Sequence, residues 1–185
     1  MKRRAAGGFT LTELMVVVAI VGVLTTLAAV SVRTSTRPID VATRFAGLVQ
    51  TGSRTAVRLG VVRSDVAMAE GSKRRARITA SGTTHPLFTL EVLSEDPVPT
   101  WTVVGTYQVP TSVTAVGFAT SVGTYASAGS ISNDWSQFVL DFEPSGSANS
   151  ITLFISSDKG ATKDRLARVS VLPLGTATFV RDSWE

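Results

Sequence analysis

The chain has 185 residues, 44% of them hydrophobic and 17% charged, which suits one membrane-anchored domain of ordinary size and is too little for two large ones. Cysteine is absent and His85 is the single histidine. Disulfide frameworks, thiolate sites, cysteine nucleophiles and zinc sites built on paired histidines are therefore excluded, and neither a metal nor another cofactor is expected.

The formal charge is +4 at pH 7, and three of the positive charges are Lys2, Arg3 and Arg4 in the opening MKRRAAGG. Residues 9–32 follow with Glu13 as their one charge. From Leu14 to Val32 the apolar run is about 28 Å long as a helix, close to the hydrocarbon thickness of a bilayer. The stretch after it, Ser31-Val32-Arg33-Thr34, offers no A-x-A-like cleavage site, so the helix is expected to stay with the protein rather than leave as a secretory signal. Basic residues ahead of the helix predict a cytoplasmic N-terminus, with residues 34–185 on the other side. Arg33 and Arg37 are then placed to snorkel to headgroups.

Glu13 stands out, because a carboxylate near mid-membrane costs on the order of 3 kcal/mol and less near the interface. Its context, Gly7-Gly8-Phe9-Thr10-Leu11-Thr12-Glu13, resembles the class III leader of type IV prepilins and pseudopilins. In that family a basic leader ends in Gly, Phe follows, and Glu comes four residues after the Phe. The resemblance implies cleavage by a membrane aspartyl prepilin peptidase between Gly8 and Phe9, and N-methylation of Phe9. It gives Glu13 a role in subunit assembly: a cationic Phe9 amine and the Glu13 carboxylate neutralise one another between neighbouring helices.

Past a Thr34-Ser35-Thr36-Arg37-Pro38 break, apolar residues at Ile39, Ala42, Phe45, Leu48, Val49, Gly52, Ala56 and Leu59 predict an amphipathic helix. Pro38 suits its first turn, Asp40 its positive end, and Gly60 its termination. The expected division is leader 1–8, transmembrane helix 9–33, amphipathic helix 34–60 and a β-rich domain 61–185. From Val61 onward the pattern becomes short β-like runs between turn residues. Strands are predicted at 61–69, 76–81, 86–94, 101–109, 113–120, 136–143, 150–156, 166–173 and 176–181, with a long Gly/Ser-rich loop at 121–135. The fold class is thus α+β, a long N-terminal helix packed on a mostly antiparallel β-rich globular domain.

Charge changes sign along this region. Residues 33–77 carry ten Lys and Arg against Asp40, Asp65 and Glu70, whereas 78–157 carry six acids and no Lys or Arg. The sharpest basic run is Lys73, Arg74, Arg75 and Arg77, which reads first as a solvated hairpin or a subunit contact, with binding of an anionic partner such as DNA as the alternative. No G-x-S-x-G elbow, P-loop or G-x-G-x-x-G cradle occurs, so catalysis is not expected, and any force for assembly must come from a separate ATPase. Asp158-Lys159-Gly160 reads as a hairpin turn rather than a calcium loop.

The later segments Phe142-Glu143-Pro144-Ser145-Gly146, strand 150–156, Arg168-Val169-Ser170-Val171 and a final hairpin containing Gly175 are similar to the GspH/FimT/FimU group of minor pilins and pseudopilins. That resemblance implies a non-enzymatic subunit that helps initiate, and caps, a type IV pilus. The alternatives are a type II secretion pseudopilin and a FimT-like DNA receptor. The partners implied are other minor and major pilins or pseudopilins, the prepilin peptidase, an inner-membrane assembly platform and the inner membrane itself, with the globular domain periplasmic. Some FimT-like members bind DNA through a C-terminal Gly-Arg-x-Arg, where this chain has Gly175-Thr176-Ala177-Thr178 and only Arg181 beyond.

Overall fold

The computed structural model describes residues 11–31, 36–63, 74–95, 98–127, 129–157, 166–173 and 178–185. The chain divides into two compact units, Met1–Ser35 and Thr36–Glu185.

In the first unit, helix α1 spans Leu11–Ser31. From Leu14 to Leu24 it holds only apolar side chains and one glycine, which leaves no polar face, and every side chain described, from Leu11 to Thr25, is exposed. Thr25 returns its hydroxyl to the Val21 carbonyl at 2.8 Å, which hides the hydroxyl inside the helix's own hydrogen bonding.

The second unit begins with helix α2, Pro38–Leu59. Pro38 supplies a fixed φ at the first turn, and the Asp40 carboxylate accepts the Arg37 backbone N–H at 2.9 Å, satisfying a donor just ahead of the helix. Gly60, at φ 70°, ends it. Val41, Ala42, Phe45, Ala46, Val49, Gly52, Ser53 and Ala56 form its buried face, as the 3.6-residue period predicts.

Eight strands make two antiparallel sheets. The first has the order β3-β2-β1-β5, with β1 Ala76–Ser81, β2 Leu87–Ser94, β3 Thr100–Gln108 and β5 Val139–Phe142. The second has the order β4-β6-β7-β8, with β4 Val113–Ala119, β6 Ile151–Ser157, β7 Leu166–Val171 and β8 Thr178–Arg181. Helix α2 contacts β1, β2, β3 and β5 of one sheet and β6, β7 and β8 of the other, so a single core lies where helix and both sheets meet. Phe45 of α2 packs on Phe88 with ring centroids 4.8 Å apart, and Phe88 packs on Phe138 at 5.3 Å. Phe138 continues to Phe118 at 5.1 Å, and Phe118 to Trp135 at 5.4 Å. These edge-on and tilted contacts join four segments distant in sequence, Trp135 and Phe138 belonging to one.

The architecture is the α+β class expected. The strand expected at 61–69 is corrected in part: Val61–Arg63 form no strand, and 64–69 lie outside the described residues. The reason is local, because the Arg63 N–H goes to the Glu95 carboxylate at 2.8 Å instead of a ladder carbonyl, while Val62 is buried with Leu93. The strand expected at 136–143 is shorter. Trp135–Gln137 form a 3-10 turn whose Ser136 N–H is capped by Asp134 at 3.1 Å. The 121–135 loop is anchored by a bridge between Phe118 and Ser132.

Candidate functional site

Gly8 and Phe9 lie outside the described residues, as does Lys73. Glu13 lies in the first turn of α1, where the unsatisfied N–H groups of a helix start favour a carboxylate. Around and beyond it Leu11 is 78% exposed, Met15 64% and Val18 64%. A helix apolar on all sides needs lipid or other apolar helices to cover it. Among the described residues no helix is long and apolar enough to cross a membrane. The side chains described stop at Thr25, about 22 Å of helix, and the rest of the expected span lies beyond them.

The three described arginines of the basic run are brought together at the start of β1, and each meets a carboxylate of the acidic 78–157 segment. Arg77 donates Nε to Glu91 Oε2 at 2.6 Å, its register partner across β1 and β2. Its guanidinium carbon stands 4.1 Å from the Trp101 ring centroid, so one side chain combines an ion pair with a cation–π contact. Arg74 lies 3.3 Å from Asp141 on β5. Burial raises the Asp141 pKa, and the Arg74 charge offsets part of that rise.

Arg75 is buried, 2.8 Å from Glu95, and directs Nη2 to the Leu59 carbonyl at 3.4 Å, in the last turn of α2. A cation at a helix C-terminus is favourable there. Glu95 thereby ties Arg63 and Arg75 together. Its pKa is lowered chiefly by the Arg63 N–H, with the Arg75 hydrogen bond and charge adding to this against the opposing effect of burial.

Exposed positive charge therefore sits elsewhere. Arg44, Arg54 and Arg58 lie on the solvent face of α2. Arg168 and Arg181 oppose each other across β7 and β8, a pairing that alternation along either strand alone does not reveal. His85 places Nδ1 2.9 Å from the Val113 carbonyl, which fixes the proton on that nitrogen. Among the described residues no group of three His, Asp or Glu side chains is placed to hold a metal ion.

Residues 3–29 match the prokaryotic N-terminal methylation motif, the segment that contains Gly8, Phe9 and Glu13. No curated protein matches the sequence. Two solved structures of the minor pseudopilin EpsH from the type 2 secretion system of Vibrio cholerae are similar. One is 16% identical with a TM-score of 0.45, covering 76% of this chain and 92% of that one. The other is 12% identical with a TM-score of 0.44, covering 75% and 89%.

Proposed function

We propose that this chain, which carries a prokaryotic N-terminal methylation motif, is a non-enzymatic minor pilin or pseudopilin. Prepilin peptidase cuts between Gly8 and Phe9, Phe9 is methylated, and residues 9–33 hold the protein in the inner membrane with the β-rich domain on the periplasmic side. Assembly-platform proteins then move it into a filament whose initiation it supports.

The observation that carries this reading is the motif at 3–29 running directly into α1, a helix with no polar face. A cleavage site ahead of such a helix leaves it in place as an anchor and as a lateral packing surface. On leaving lipid, the helix can keep its apolar surface dry only among other helices like it. Glu13 then sets the register, since its carboxylate is neutralised where a neighbour's Phe9 amine comes level with it.

The test is an in-frame deletion, complemented by wild type or by Glu13→Ala, with surface pili sheared off and the major pilin blotted. Deletion is expected to reduce pili, and wild type to restore them. Glu13→Ala is expected to show normal leader cleavage and reduced incorporation. Unchanged pili with loss of a secreted protein would move the subunit to type II secretion. Unchanged pili and unchanged secretion would leave the reading unsupported.

A further inference from the structure

We propose that the outer face of the second sheet, at Arg168 and Arg181, receives a carboxylate side chain of a partner protein. This goes beyond the subunit reading and needs neither the leader nor a filament.

Register makes Arg168 and Arg181 direct neighbours on β7 and β8, with Ser170 and Phe179 the next pair on the same face. The alternate pair, Val169 and Val180, faces the core. Like charges set directly opposite one another destabilise a sheet. Among the described residues neither arginine is paired with a carboxylate, whereas Arg74, Arg75 and Arg77 each have one. What sets this pair apart from the solvated arginines of α2 is that the two face each other across a strand register, a local conflict that a carboxylate from outside would relieve.

The two arginines border an open hollow of about 300 Å³ that also includes Gly123, Thr124, Ser127 and Phe179. Arg168 donates Nη1 to the Gly123 carbonyl at 2.7 Å, which holds the guanidinium in place before any ligand arrives. Burial and then the Arg181 charge lower the Arg168 pKa, and an anion between the two guanidinium groups relieves the second effect. Two guanidinium groups lining one hollow can each offer a charge-assisted donor to a carboxylate oxygen. The Phe179 ring, 54% exposed, offers an apolar wall to the methylenes of an Asp or Glu side chain.

An isolated carboxylate suits this place better than a polyanion. Asp182 and Glu185, both exposed, line the adjoining hollow that shares Thr124 with this one, so a strand of successive phosphates running on from the arginines meets like charge.

The test uses the full chain in detergent micelles with three probes: the peptide acetyl-Gly-Glu-Gly-amide, its Gln counterpart, and short duplex DNA. The readout is the NMR signals of the Arg168 and Arg181 Nε–H groups and the Gly123 amide. Saturable shifts with the Glu peptide and none with the Gln peptide are expected. Arg181→Gln is expected to weaken Glu-peptide binding at least ~10-fold, the worth of one charge-assisted hydrogen bond. Should Arg181→Gln lose the amide pattern of the folded domain, Arg181→Lys, which keeps the charge and loses the fork, is expected to bind more weakly than wild type. No saturable shift, equal affinity in both variants, or shifts with duplex DNA alone would each overturn the proposal.

Discussion

Gly52 shows how tightly one residue can be specified. A Cβ at this position would stand 2.7 Å from the Phe142 ring and 3.1 Å from Leu90, because α2 and the first sheet approach closely there. Neither neighbour can withdraw, since both are buried in the core. Gly52→Ala is expected to lower stability by about 1–3 kcal/mol, read as an earlier urea midpoint with an unchanged slope. This cost opposes the ordinary gain in helix propensity from replacing glycine by alanine. Glu95 gives a prediction with a pH signature. Its folded pKa is lowered, so its stabilising contribution is full above the ordinary glutamate value and is lost as pH falls through the lower folded value. Glu95→Gln is therefore expected to be less stable than wild type near neutrality, with the gap narrowing on acidification in a series of denaturant titrations. Asp141 acts in the reverse sense. Its raised pKa means that protonation favours the folded state, a gain present at low pH and lost as pH rises through the folded value.

At the scale of elements, the C-terminal tail acts as a clasp over the second sheet. Trp184 stacks on Tyr125 with ring centroids 4.6 Å apart, and its backbone carbonyl accepts the Tyr125 N–H at 2.8 Å. The indole N–H reaches the Ile155 and Ala167 carbonyls at 3.0 and 3.2 Å, and Phe154 lies beneath both rings. The Gly/Ser-rich loop after β4 is thus held by residues nearly sixty positions later. Trp184→Ala is expected to cost about 2 kcal/mol through lost burial and hydrogen bonding, and to speed hydrogen exchange at the Tyr125 amide far more than at β1. The elements also show what the sequence makes legible. Helix α2 was readable because its apolar period, Pro38 and Gly60 all agree. Strands β5 and β6 were readable from alternation at 138–142 and 151–155. Val61–Arg63 read as a strand opening because two adjacent valines are β-prone, and nothing local says that Arg63 will give its N–H to Glu95. The split of the strands into two sheets, and the pairing of 74–77 with Glu91, Glu95 and Asp141, depend on contacts far apart in sequence and leave no short-range signal.

For the molecule as a whole, the opposite charges of residues 33–77 and 78–157 look along the sequence like an axis for aligning neighbours. In the fold, part of that contrast closes internally, through Arg74–Asp141, Arg75–Glu95 and Arg77–Glu91. The leader motif was legible because its chemistry depends on close spacing within one short segment. The Arg168–Arg181 pair was not, because it exists only once β7 and β8 are in register. The division into two units also yields a prediction. The buried core runs from Val41 to Val171, so a chain beginning at Thr36 is expected to keep its thermal midpoint and its near-ultraviolet circular dichroism. A molten, dye-binding product would show that the core needs the first unit.

Helix α2 occupies the middle of this core, and the partners that complete its burial include β7 and β8, at the far end of the chain. Synthesis proceeds from the N-terminus, so the helix appears early and its final cover arrives last. For that interval the part of its apolar face that β7 and β8 cover is open to the solvent or to a chaperone, and no local contact can shorten the wait. A chain stopped before Leu166 leaves the part of that face under β7 and β8 permanently uncovered, which makes loss of the last two strands a signal for degradation even though every residue of the helix itself is intact.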